Sequence, residues 1–174
     1  MQGNGAGPDL QAQGGEDHSA LGRYDFVSIP AHFFGSELKV NVQFVDTPAT
    51  KLGLEWFGDF VRAANSDTSE ALPRISPGRI GAALHGLESG WSWRLDATYH
   101  LAQNHTAPGE TRTAGYTLVG ATLGHDFKFA GADARFSLRL INLLDQEARN
   151  ASSFIKDVLP LPGRGIEASL RINF

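Results

Sequence analysis

The stretch WSWRLDATYHLAQN, residues 91–104, decides the fold. In an extended chain Trp91, Trp93, Leu95, Ala97, Tyr99 and Leu101 share one face, and Ser92, Arg94, Asp96, Thr98, His100 and Asn104 share the other. Successive side chains of a strand point to opposite faces, so period two over such a length reads as a strand with one apolar and one polar side. A helix would scatter the same residues around its axis.

The alternation recurs along the chain. SELKVNVQF sets Leu38, Val40, Val42 and Phe44 against Glu37, Lys39, Asn41 and Gln43. LGLEWFGDF sets Leu52, Leu54, Trp56 and Phe60 against Glu55, Phe57 and Asp59. ARFSLRL sets Phe136, Leu138 and Leu140 against Arg135, Ser137 and Arg139, and the final residues alternate from Ile166 to Phe174. GYTLVGATLGHDF and RIGAALHGL keep phase more weakly, giving seven predicted strands, many of them ten residues or longer. Strands of globular proteins run to about five or six residues, whereas about 9–11 tilted residues cross a bilayer. Tight connections at 46–51, 88–90 and 130–133 alternate with longer ones near 64–78, 104–115 and 146–163. Short turns on one side and long loops on the other are the habit of outer-membrane barrels. The expected fold is therefore all-β, an antiparallel transmembrane β-barrel segment of about seven meander strands.

Composition is consistent with this and excludes other classes. The chain has 174 residues, 15 Lys plus Arg against 19 Asp plus Glu, and a net charge of −4, so there is no basic excess for nucleic acid. There is no cysteine for disulfides or thiolate metal sites. No apolar run reaches the roughly 18 residues of a membrane helix, and residues 1–19 lack the basic and apolar regions of a signal peptide. Mean hydropathy is −0.21, which does not distinguish a soluble chain from a barrel that alternates lipid-facing and lumen-facing residues.

Residues 1–23, with six glycines, are expected to be an extracellular loop or tail, and residues 24–174 the barrel strands. Counting back from Phe174 on the short-turn side starts the first strand, near Tyr24, on the long-loop side. Complete single-chain bacterial barrels have an even strand number, so seven strands read as part of something larger. Phe44, Trp91, Trp93, Phe127 and Phe174 are expected near the periplasmic rim, and Phe60, Tyr99 and Tyr116 near the extracellular one, as aromatic girdles.

Several segments, taken together and in order, carry a family resemblance. FFGSELKV, LPRISPGRIGAAL, GYTLVGATLGHDF and above all LRLINLLDQEARNASSFIKDVLPLPGRGIEASLRINF resemble the C-terminal strands of TonB-dependent outer-membrane receptors. The loop wording, with EARN, SSF and LPLPGR, is similar to the group associated with zinc and related metals. The resemblance implies a plugged barrel of about 22 strands, of which this chain matches the last portion without the plug domain. It implies uptake of a scarce metal, metal chelate or similar nutrient across the outer membrane, energised by TonB through the absent plug. It also implies that the terminal strand ending in Phe174 addresses the outer-membrane assembly machinery. No resident cofactor is implied.

His18, His100 and His105 are weak metal-ligand candidates, since imidazole suits zinc-like ions and all three are expected outside the membrane. Their spacing matches no ligand motif, and solvated loop histidines are the plainer reading. His125 falls in the apolar phase and His85 in the polar phase. The polar-phase charges, Glu37, Lys39, Glu55, Asp59, Arg79, Arg94, Asp96, Asp126, Arg135, Arg139, Glu167 and Arg171, mix both signs, as a wet lumen wall does. No nucleophile elbow, HExxH or phosphate loop is present, so transport rather than catalysis is expected. A small self-contained outer-membrane barrel and a soluble lipocalin-like ligand-binding barrel are the alternatives.

Overall fold

A computed structural model describes residues 28–174, so the expected tail at 1–23, His18 and Tyr24 lie outside the described residues. The described chain is a meander of seven antiparallel strands in one open sheet. They are β1 (Ala31–Asp46), β2 (Thr50–Asn65), β3 (Arg79–Glu88), β4 (Trp91–His100), β5 (Tyr116–Phe129), β6 (Ala132–Ile141) and β7 (Gly165–Asn173). Every strand pairs with its sequence neighbour, and β1 and β7 form the two edges.

The short turns have the backbone their residues favour. Ser89 and Gly90 have φ of 47° and 83°, and Ala130 and Gly131 have φ of 49° and 83°. Two successive positive φ values are the mark of the type I′ hairpin, whose twist matches that of the flanking strands. The β1–β2 turn is closed by Thr47, whose hydroxyl accepts from the Thr50 amide at 2.9 Å. A register shift between Gln43 and Val45 leaves Phe44 without a pairing partner on β2.

Register joins the sequence patterns into rows. Val42, Leu54, Leu84, Leu95, Ala121, Leu140 and Ile166 pair in succession from β1 to β7, an unbroken apolar row across the sheet. One step away, Gln43, Gly53, His85, Arg94, Thr122, Arg139 and Glu167 pair in succession as a polar row. A slip of one residue in any strand would exchange its two faces.

The apolar face is left uncovered, its row ranging from half-buried at Leu54, Ala121 and Leu140 to 72% exposed at Ile166. Along β4 every apolar-phase residue is exposed and every polar-phase residue half-buried. Leu95 is 50% exposed, Trp56 60% and Leu170 60%, and no second layer covers them among the described residues. The buried apolar residues are alanines and Tyr116, and none of the described large side chains is fully buried. A water-soluble sheet inverts this order, because apolar burial drives its folding.

Two expectations are corrected. The strand beginning at Trp91 ends at His100, before Asn104, because the Leu101 amide turns to the Gly78 carbonyl and Gln103 bridges Thr113 instead. The expected start of the first strand near Tyr24 lies outside the described residues, within which β1 begins at Ala31. Tyr116 does not join an outward aromatic rim: it pairs with His100 on the polar face and is 8% exposed there. Outward aromatics do gather at the short-turn end, where His125 stacks between Trp91 at 4.1 Å and Phe127 at 5.8 Å. At the long-loop end Phe34 packs on Phe60 at 5.7 Å.

Candidate functional site

The polar face is a wall of paired charges lying along the sheet. Glu55 on β2 is its hub, accepting from Arg94 of β4 at 2.7 Å and from Lys39 of β1 at 2.9 Å. Arg94 reaches it across β3, where Ala83, the register partner of Glu55, is 1% exposed. Asp59 binds Arg79 at 2.7 Å, and Arg139 stands 3.8 Å from Glu167. Arg135 on β6 donates to both oxygens of Asp126 on β5 and crosses that strand to the Ser92 hydroxyl at 2.9 Å. Gly124 makes the crossing possible, since a Cβ there would stand 2.6 Å from the Ser92 Oγ and 2.9 Å from the Arg135 Nη2. Opposite charges across neighbouring strands stabilise a sheet, and here they are arranged so that most of the wall neutralises itself.

At the other end of the molecule the segments 66–78, 101–115 and 142–164 knit into one layer. The Gln103 amide donates to the Ile75 carbonyl, and the Glu110 carboxylate accepts from the backbone amides of Arg74 and Ala107, each at 3.2 Å. Lys156 is 4% exposed, and its ammonium donates to the Thr111 carbonyl and to the Thr113 hydroxyl. The Thr111 hydroxyl in turn donates to the Asp157 carboxylate at 2.7 Å. With Lys156 and Asp157 turned to the layer, their neighbours Phe154, Ile155, Val158 and Leu159 face outward, Val158 at 84% exposure. The Arg74 guanidinium lies over the Phe154 ring.

The N-L-L-D…P-G-R stretch is a clamp at the base of this layer. Asn142, 2% exposed with φ of 49°, accepts from the Gln146 amide and donates to the Gln146 and Pro162 carbonyls. Asp145 accepts from the Arg164 amide at 3.0 Å and its guanidinium at 3.1 Å. The Arg164 amide, then its guanidinium, hold the Asp145 carboxyl below its ordinary value of 3.8.

The histidine candidates are separated by this geometry. His100 ends β4 on the polar face and stacks on Tyr116 at 4.6 Å, while His105 is exposed in the 101–115 loop. Among the described residues no three His, Cys, Asp or Glu side chains group as a metal ion would require. The polar-phase charges all lie on the face expected of them. Lys156 and Asn142 escaped sequence reasoning: neither sits in an alternating strand, and only the N-L-L-D motif marked the place of Asn142.

The fold has a solved counterpart. A chain described as "Copper transporter OprC" shares it with a TM-score of 0.67 and 20% identity, over 82% of this chain and 23% of that one. At this identity the likeness is one of fold, and the present chain spans less than a quarter of the length of that structure. No protein-family model and no curated protein sequence matches the chain.

Proposed function

We propose that this chain forms part of the barrel wall of an outer-membrane, TonB-dependent transport receptor rather than an enzyme. The carrying observation is the apolar row from Val42 to Ile166, continuous over seven strands and without a covering layer among the described residues, backed on the other face by a wall of paired charges. Lipid is the medium in which such a row is stable and the charged side is the one turned to water. In this reading the short turns face the periplasm and the knitted loops face outside. Trp91, His125 and Phe127 lie at the inner interface, and Phe174 ends the strand offered to the assembly machinery. The cargo is a metal ion or metal chelate, a reading supported by the loop wording and by the copper transporter whose fold this chain shares. His100 and His105 stand at the outer end, where cargo would first be met.

All three tryptophans, Trp56, Trp91 and Trp93, lie on the apolar face and so report directly on it. Reconstituted into vesicles of brominated phosphatidylcholine, the protein should show strongly quenched tryptophan emission. A monomeric, detergent-free soluble protein with unquenched tryptophans would refute the membrane reading and favour a soluble ligand-binding barrel.

A further inference from the structure

The two edges of the sheet carry information about what completes it. β1 runs from the long-loop end to the short-turn end, and after seven antiparallel strands so does β7. Both edges therefore accept an antiparallel neighbour running the opposite way, from short turns to long loops. A meander joining one edge to the other must contain an odd number of strands. A second copy of these strands, held in the same orientation, presents only edges of the wrong direction.

Charge marks the same edges. The interior of the wall pairs internally, but one polar-face charge at each margin does not. Glu37 on β1 has its register partner in Asp59, a like charge already held by Arg79. Arg171 on β7 has its register partner in Arg135, likewise a like charge and already held by Asp126. Among the described residues neither the Glu37 nor the Arg171 side chain makes a hydrogen bond or an ion pair, whereas Lys39 and Glu167 on the same two strands make ion pairs. Like charges directly opposite each other destabilise a sheet, so each margin lacks the counter-charge that its own neighbour cannot supply.

We infer that the sheet is completed by β-strands of a different sequence, odd in number and antiparallel to both edges. The strand beside β1 places a Lys or Arg opposite Glu37, and the strand beside β7 places an Asp or Glu opposite Arg171. This rests on the barrel-wall reading above and adds to it the chemistry of the strands that flank the described sheet. Mixed charge is thereby balanced around the whole polar face, and the two margins differ in sign, so a strand suited to one is rejected by the other.

The protein lacks cysteine, which allows a direct test on the full chain in brominated-phosphatidylcholine vesicles. Asn41→Cys places a thiol on the polar face of β1. Synthetic amphipathic strand peptides carry Lys or Glu at a test position and a Cys four residues before it, which antiparallel pairing brings opposite residue 41 when the test position faces Glu37. With diamide as the oxidant that takes up the two electrons and two protons, the Lys peptide should form the mixed disulfide in about threefold or greater excess over the Glu peptide, the difference between an opposite and a like cross-strand pair. Glu37→Gln should abolish the preference and Glu37→Lys should invert it. With Ser169→Cys, and the peptide Cys two residues after the test position, the Glu peptide should win, and Arg171→Gln should remove its advantage. Tryptophan quenching with no charge preference at either edge would overturn this inference and leave the wall reading standing. Disulfides forming between Asn41→Cys and Ser169→Cys copies in preference to peptide would overturn it in favour of a second copy. Absence of quenching would overturn both readings together.

Discussion

The strongest quantitative demand made by the polar wall concerns Glu55. Its side chain is 13% exposed, and it serves one donor that is 37% exposed, Arg94, and one that is 60% exposed, Lys39. A hydrogen bond to a charged group contributes about 1.5–3 kcal/mol when sheltered, and an exposed ion pair about 0.2–1 kcal/mol. Arg94 lies between these limits and Lys39 near the lower one. Solvent screening at a one-third exposed guanidinium brings the Arg94 pair to about 1–1.5 kcal/mol, and the Lys39 pair to about 0.5 kcal/mol or less. Two double-mutant cycles separate them, Glu55→Gln with Arg94→Met and Glu55→Gln with Lys39→Met, because coupling energies isolate the pairwise part from lost packing. Urea unfolding in lipid vesicles, followed by tryptophan emission, supplies the free energies. The Arg94 coupling should be at least twice that of Lys39. Equal couplings, or a larger one for Lys39, would show that the contact across β3 is not what holds the wall.

Leu95→Arg puts a cation in the middle of the apolar row and should cost about 2–4 kcal/mol in vesicles if that row meets lipid, against little if it meets water. Ala130→Asn should stabilise by about 0.5–1 kcal/mol in the same unfolding assay, because Ala130 holds a positive φ that asparagine tolerates better. Asp145 has a folded-state value below its ordinary 3.8, so its contribution is present above that value and lost as pH falls through the lower one. The protection factor of the Arg164 amide should therefore fall in that acid window, and Asp145→Asn should flatten the dependence. Lys156→Met leaves the Thr111 carbonyl and Thr113 hydroxyl without their donor, at about 1–3 kcal/mol. Faster exchange over 101–115 with unchanged protection in β4 and β5 is the expected pattern.

The seven strands were legible because each one is amphipathic in its own sequence, and a face set by period two needs no knowledge of the partner strand. Loop sorting was legible for a related reason: Ser89-Gly90 and Ala130-Gly131 allow turns too tight for anything but a hairpin. Strand ends were less so. Leu101 keeps the apolar phase beyond His100, yet its amide is taken by Gly78, and no local pattern announces a bond to a residue 23 positions earlier. Tyr116 misled for the opposite reason, being an aromatic at a strand end whose phase belongs to the polar side. The knitted loop layer was not legible at all. Lys156 reads as an ordinary surface lysine, and only the fold brings Thr111 and Thr113 to it. The counter-charges of the wall were visible as residues but not as pairs, since Arg94 and Glu55 are 39 positions apart and separated by a whole strand.

Gly124 and Ala83 do more than permit two contacts. By lacking bulk they let Arg135 and Arg94 lie flat against the backbone, like tiles on a pipe, where a larger residue beneath would stand them upright. The inner radius of a barrel is fixed by its strands, so every upright arginine would narrow the bore by the length of its side chain. In the barrel-wall reading, small residues on the middle strand of each crossing keep a heavily charged lining thin.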